Sequence, residues 1–121
     1  MRFLISVIDT DSGLAASSEM AVIDKFNEKL QTNGFWVIAV GIASTSEAAT
    51  IDNRSGAGVL ESRSTLYGDE YMSGFWIIDV PSNDLALELA QEGSMPAIEK
   101  WNFAHCLAEQ NSNRANSQQR Q

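Results

Sequence analysis

Few side chains in this chain are suited to acid–base chemistry near neutral pH. His105 is the only histidine, and histidine is the one side chain whose unperturbed pKa lies near neutrality. Asp79 stands inside the apolar segment Ser73–Val80, where a buried carboxyl without a partner is costly and has a raised pKa. We therefore name His105 and Asp79 as candidate catalytic residues. The alternatives are a surface histidine and a solvated carboxylate at a strand end.

The candidate ligand-binding residues are basic, aromatic and acidic. Arg54 and Arg63 flank a predicted hairpin, and an arginine there could bind a carboxylate ligand through two parallel hydrogen bonds. Trp36 and Trp76 could contact an aromatic ligand, or could belong to the core or to a dimer interface. Asp69 lies in a polar cluster just before the long apolar segment, and its alternative role is that of a charged loop residue.

The sequence predicts neither a metal nor a cofactor. One histidine and one cysteine, Cys106, are too few for a zinc site. The glycines at 56 and 58 lack the third glycine and the strand-to-helix setting of a dinucleotide-binding loop. A single cysteine also excludes an internal disulfide bond and fits a reducing compartment.

Length and charge restrict the class of partner. The 121 residues predict one domain. The formal charge of −8, from 16 acidic and 8 basic side chains, repels phosphate backbones and anionic lipid surfaces. No apolar run approaches 18 residues, and the N-terminal segment resembles a strand rather than a signal peptide. We expect a cytoplasmic protein that binds neither nucleic acid nor membrane.

The segment Ser73–Val80 organises the predicted fold. It is aromatic and β-branched, which favours a strand, and Pro81 closes it. Apolar residues occur at both parities, with Phe75 and Ile77 on one side and Trp76 on the other. A strand that is apolar on both faces must be covered on both faces. The two predicted helices cover only one face of a sheet, so we expect a second copy of the chain to cover the open face.

The order of predicted elements is β-α-β, a hairpin, then β-α-β. This is the split β-α-β order of a ferredoxin-like α+β sandwich, and two such sheets packed face to face form a dimeric α/β barrel. The predicted domain is 1–106, and the polar segment 107–121 is predicted to be a disordered tail. The predicted strands are 2–8, 35–42, 73–80 and 98–105, the hairpin is 49–65, and the helices run from Ser17 or Ser18 to Gly34 and from Ser82 to Gly93.

Several short segments match one known family over most of the first hundred residues. They are 1–5, 26–27, 50–54, 56–58, 70–78, 86–90 and 92–94, of which Gly74-Phe75-Trp76 is fairly specific. On these residues the chain resembles the YCII-related family, and specifically its DGPF-type branch. The resemblance implies a ferredoxin-like fold, a dimeric α/β barrel and a largely undefined role. Some members are proposed to use a His–Asp pair, and one branch carries out lyase-type chemistry on ring-derived acids.

The chain departs from that family at its signature. The Asp-Gly-Pro-Phe motif falls on Ser62–Thr65, where no residue matches, so its acidic group cannot be carried over. The preferred hypothesis is a small protein that binds a small molecule in a cleft at the dimer interface. The alternative is a lyase or isomerase that acts on a small organic acid with a carboxylate or histidine in that cleft. A third hypothesis is an interaction protein that uses its exposed sheet.

Overall fold

The computed structural model of the chain describes residues 1–10, 17–43, 47–61 and 70–107. Two candidate ligand-binding residues, Arg63 and Asp69, lie outside the described residues, as do residues 108–121 of the expected tail. The elements are β1 (Arg2–Thr10), α1 (Ser17–Thr32), β2 (Trp36–Gly41), β3 (Thr50–Asp52), β4 (Val59–Glu61), β5 (Glu70–Asp79), α2 (Asn83–Ser94) and β6 (Lys100–His105).

Four of the strands form one antiparallel sheet in the order β2-β5-β1-β6. The remaining two, β3 and β4, pair only with each other as a hairpin in the described part of the chain. The helix α1 connects β1 to β2, which lie on either side of β5, and α2 connects β5 to β6, which lie on either side of β1. The predicted α+β class is confirmed, and the strand order is compatible with a ferredoxin-like arrangement.

The central strands are longer than the sequence predicts. Asp9 and Thr10 were expected in a loop, but they pair with Tyr71 and Glu70, so that expectation is wrong for these two residues. The register shifts between Val7 and Ile8, and pairing resumes beyond the shift. Polar side chains are tolerated here because the backbone hydrogen bonds of a central pair outweigh weak strand propensity.

The core lies between one face of the sheet and the two helices. Alternate residues of β1 point towards the helices, and Phe3 and Ile5 are fully buried there. Burying each such side chain contributes roughly 1.5–3 kcal/mol. The helices supply the matching apolar surface. The largest buried members of the core are Phe3, Ile5, Phe26, Leu30, Ile78 and Val80.

The opposite face of the sheet, which we call the open face, is also apolar. Leu4 lies between the inward residues Phe3 and Ile5 and pairs with Ile77. Cross-strand partners share a face, so the open face is built from partly or largely exposed side chains. Its large apolar side chains are Leu4, Ile38, Val40, Phe75 and Ile77. Two polar residues share this face, since Ser6 pairs with Phe75 and with Asn102.

Helix boundaries follow recognisable capping residues. The Ser82 hydroxyl oxygen accepts a hydrogen bond from the Leu85 backbone N–H at 3.2 Å, which satisfies one of the free donors at the start of α2. Gly93 was expected to end α2, yet it lies inside the helix. A Cβ atom at Gly93 would lie 2.5 Å from Phe26 Cδ1, so glycine is needed there for close packing of the two helices.

In the ranges that the structure describes, no helix is both long enough and apolar enough to cross a bilayer.

Candidate functional site

The two candidate catalytic residues lie at the same end of the sheet, but in the described part of the chain no hydrogen bond joins them. Asp79 is exposed, with its Oδ2 atom 3.8 Å from Arg2 Nε. His105 is exposed and its ring stacks on Phe3 at a centroid distance of 4.8 Å. Both residues line a shallow depression of ≈ 780 Å³. Within the described residues no hydrogen bond joins His105 to Asp79, so the pair lacks the geometry of a coupled acid and base.

The candidate ligand-binding residues separate into two places. Trp36 and Trp76 line one cleft. Arg54 lies away from it on the hairpin, with its side chain 89% exposed. Its Nε and Nη2 atoms donate to the Asp52 carboxylate at 2.8 and 2.6 Å. This pair of hydrogen bonds lowers the pKa of Asp52 and occupies the guanidinium face that a carboxylate ligand would use.

The cleft that holds the two indoles lies between α1 and the β2–β5 side of the sheet, and we call it the tryptophan cleft. Its volume is ≈ 390 Å³, within the usual range for small-molecule sites. Most of its lining is apolar, with Asp24, Asn27 and Ser73 as the polar exceptions. The lining residues on α1 are Met20, Ile23, Asp24 and Asn27, and those on the sheet are Val7, Trp36, Ala39, Val40, Gly41, Ser73, Gly74, Phe75 and Trp76.

The sheet wall of the cleft contains two paired glycines, and only Gly41 leaves space beside it. Gly41 and Gly74 are cross-strand partners. A Cβ atom at Gly41 would meet nothing within 4 Å, whereas one at Gly74 would lie 2.9 Å from the Val40 carbonyl oxygen. The register shift in β2 lies between Trp36 and Ile38 rather than at Gly41, and Gly41 lines the cleft.

A hydrogen bond fixes one wall of the cleft against the other. The Trp76 indole Nε1–H donates to Asn27 Oδ1 at 2.6 Å, and Trp76 is only 3% exposed. A buried indole N–H without an acceptor would be costly, so this bond holds α1 in place over β5. Asp24, one helical turn before Asn27, is exposed at the rim of the same cleft.

Behind Ser73 the structure brings together a group of acidic residues that we call the carboxyl cluster: Asp9, Glu19 and Glu99. The Ser73 hydroxyl lies 3.5 Å from Glu99 Oε2 and 3.4 Å from the Val7 carbonyl oxygen, so it can donate to either. Burial, then the negative charges of Asp9 and Glu19, raise the pKa of Glu99 to about 7. Glu99 can therefore gain or lose a proton near neutral pH.

The other members of the carboxyl cluster have defined partners. Glu19 is 2% exposed, and its Oε2 atom accepts the backbone N–H groups of Ile98 and Glu99 at 3.0 and 2.9 Å. These bonds tie the start of α1 to the segment before β6. The Tyr71 hydroxyl donates to Asp9 Oδ2 at 3.4 Å, and burial together with that carboxylate raises the pKa of Tyr71.

Sequence reasoning missed the carboxyl cluster. Glu19, in α1, and Glu99, just before β6, were not among the candidate residues. The two residues are 80 positions apart in the sequence, so no local sequence pattern predicts their contact. Among the described residues no group of three or more histidine, cysteine, aspartate and glutamate side chains could hold a metal ion.

No protein-family model matches the chain, and comparison with curated proteins gives no match either. The resemblance to the YCII-related family and the cytoplasmic location therefore stay predictions from the sequence.

Proposed function

We propose that the protein binds a small organic molecule in the tryptophan cleft. The observation that carries this proposal is a cleft of ≈ 390 Å³ with a mostly apolar wall and few polar groups, which is the usual composition of a ligand site. The sheet wall has space beside Gly41, where a Cβ atom would meet nothing within 4 Å. The Asn27–Trp76 hydrogen bond keeps the opposite wall in place, so little ordering is needed when a ligand enters.

The depression at Asp79 and His105 is a weaker site for the same role. It is shallow and lies at the exposed ends of β5 and β6. Asp79 already faces Arg2, and an exposed ion pair gains little from a further charged partner in water. The tryptophan cleft encloses its occupant between a helix and a sheet, and enclosure is what favours desolvation of an apolar ligand.

We also propose that a second copy of the chain covers the open face. The open face carries five large apolar side chains, of which Ile38 is 46% exposed in the single chain. A stable dimer buries roughly 800 Å² per partner. The tryptophan cleft lies on the helix-covered side of the sheet, so a partner on the open face would lie across the sheet from it. This differs from the cleft at the dimer interface that was expected from the sequence. A dimer through the open face is the dimeric α/β barrel that the resemblance to the YCII-related family implies.

Titration with a small aromatic molecule tests the proposed binding function. The probe is 2-phenylethanol, a neutral aromatic molecule, titrated into ¹⁵N-labelled protein while the Trp76 indole N–H resonance is followed. We expect saturable shifts with a dissociation constant of about a millimolar, as ligand efficiency allows for so small a molecule. The substitution Gly41→Leu should abolish the shifts, because a side chain there enters the space beside Trp76.

The matched control is Ala43→Leu, an exposed small residue near Gly41 that does not line the cleft. This variant should bind the probe as the unaltered protein does. Equal shifts in the Gly41→Leu variant and the unaltered protein would show that the probe binds elsewhere, and absent shifts in the unaltered protein would remove the proposal.

A lyase or isomerase is the second candidate function, and one observation favours it. Glu99 has a pKa raised to about 7 and adjoins Ser73, which lines the tryptophan cleft. A carboxyl that titrates near neutral pH is suited to general acid–base catalysis. Glu99, rather than His105 or Asp79, would then be the proton-transfer group. Carboxyl titration by ¹³C NMR tests this candidate, since a Glu99 midpoint near the ordinary value of 4.5 would rule it out.

A further inference from the structure

The charge distribution around the tryptophan cleft is one-sided. Asp24 is the only charged side chain among the lining residues that the structure describes. Lys25 follows it in sequence but lines the groove between α1 and α2 instead. No lysine, arginine or histidine stands among the described lining residues, so nothing there is placed to receive an anion.

The carboxyl cluster adds negative charge behind the inner wall. Ser73 lines the cleft and lies within 3.5 Å of Glu99. The charges of Asp9 and Glu19 contribute to the raised pKa of Glu99, which is the expected response of a carboxyl to negative potential. With a formal charge of −8 for the whole chain, a cation approaching the cleft is attracted at long range as well.

Four of the five lysine and arginine side chains in the described residues have an acidic partner within 4 Å, away from the cleft. The fifth, Lys25, lines the groove between α1 and α2. The four ion pairs are Arg2–Asp79, Lys29–Glu92, Arg54–Asp52 and Lys100–Glu70.

The aromatic part of the wall also suits a cation. Trp36 is partly exposed within the cleft, and the face of an indole ring attracts ammonium groups. The Trp76 indole N–H is already donated to Asn27, so it is not available to an anionic ligand. A carboxylate at the rim beside an accessible indole is a suitable combination for a small organic amine.

We infer that the tryptophan cleft selects small organic cations over neutral molecules and acids, with the ammonium group facing Asp24 and the apolar part packed against Trp36. The inference rests on the proposed binding function and gives it a ligand class. It differs from the small organic acid named by the alternative lyase or isomerase hypothesis. Arg54 and Arg63 were the candidate residues for a carboxylate ligand. Arg54 lies outside the cleft and is bound to Asp52.

Three probes with the same ring and different charge test the inference. They are 2-phenylethylamine, 2-phenylethanol and 3-phenylpropionate, compared by the NMR titration of the Trp76 indole N–H at low ionic strength. We expect the amine to bind about two- to fivefold more tightly than the alcohol, the range for a rim carboxylate with a cation–π contact, and the acid to bind least. Added salt should reduce this preference.

The substitution Asp24→Asn should remove most of the preference for the amine, measured as the ratio of the dissociation constants of the alcohol and the amine. Glu28→Gln is the matched control, since Glu28 is an exposed acid on the same helix that does not line the cleft. It should keep the preference.

The outcomes separate the inference from the proposed function. Equal binding of the three probes, tighter binding of the acid, or an unchanged preference in the Asp24→Asn variant would overturn the inference, while the alcohol's binding would leave the proposed function standing. If none of the probes shifts the Trp76 resonance, the proposed function fails and the inference fails with it.

Discussion

Replacing Glu99 with glutamine should stabilise the fold at high pH and leave it unchanged at low pH. Burial and the charges of Asp9 and Glu19 raise the pKa of Glu99 from 4.5 to about 7. Between these two pH values the folded protein keeps the proton and the unfolded chain releases it. The folded state therefore binds more protons, and the free energy of unfolding decreases as pH rises through this window. Above a pH of about 7 both states have released the proton, and the free energy of unfolding decreases no further on account of Glu99.

The size of the effect follows from the shift and from solvent exposure. A shift from 4.5 to about 7 corresponds to about 3 kcal/mol if the group were fully shielded from water. Glu99 is only half-buried, and screening reduces the value to about 1 kcal/mol. Glutamine keeps the size of the side chain and an acceptor oxygen for Ser73, but it carries no charge. Near pH 8 the free energy of unfolding of the Glu99→Gln variant should therefore be about 1 kcal/mol higher than that of the unaltered protein.

Urea denaturation followed by tryptophan fluorescence measures this difference at about pH 4 and about pH 8. All measurements use one protein concentration, because the stability of a dimer depends on concentration. Glu88→Gln is the control, since Glu88 is exposed on α2 and its replacement should change little at either pH. A Glu99→Gln variant that is less stable near pH 8, or whose difference from the unaltered protein is the same at both pH values, would refute the reasoning.

Two further substitutions test the packing of each face of the sheet. Ile77→Asp places a charge on the open face, so light scattering should give a dimer for the unaltered protein at micromolar concentration and a monomer for the variant. Ile51→Asp, at a residue 74% exposed on the hairpin, should leave the mass unchanged, and a dimeric Ile77→Asp variant would show that the interface lies elsewhere. Gly93→Ala should lower the free energy of unfolding by about 1–3 kcal/mol, because its Cβ would lie 2.5 Å from Phe26 Cδ1; unchanged urea denaturation would contradict this packing.

The fold class was predictable from the sequence because the spacing of apolar residues indicates which side chains are buried in each helix or strand. The apolar, partly β-branched segment 2–8 and the helical spacing of apolar residues in α1 and α2 gave the element order. The four-stranded antiparallel sheet is formed by the four predicted strands. Strand ends were less predictable. Asp9 and Thr10 have turn-forming side chains, but pairing with Tyr71 and Glu70 keeps them in β1.

The candidate site was only partly predictable. Trp36 and Trp76 were named as ligand-binding residues, and both line the tryptophan cleft. His105 and Asp79 were chosen because their residue types and positions are unusual, yet they lie at an exposed edge of the sheet. Glu99 depends on contacts made by distant segments: its neighbours Asp9 and Glu19 come from β1 and α1. Burial and long-range charge, which raise its pKa, are absent from any local pattern.

The most direct test of binding in the tryptophan cleft is the location of a bound probe. Intermolecular nuclear Overhauser effects, measured between the ring protons of 2-phenylethanol and the labelled protein, identify the residues in contact. We expect them to the Ala39 methyl group and the Trp76 ring, which are cross-strand partners in the sheet wall of the cleft. Effects confined to Ile77 on the open face, or to His105 and Leu107 at the sheet edge, would contradict a ligand site between α1 and the sheet.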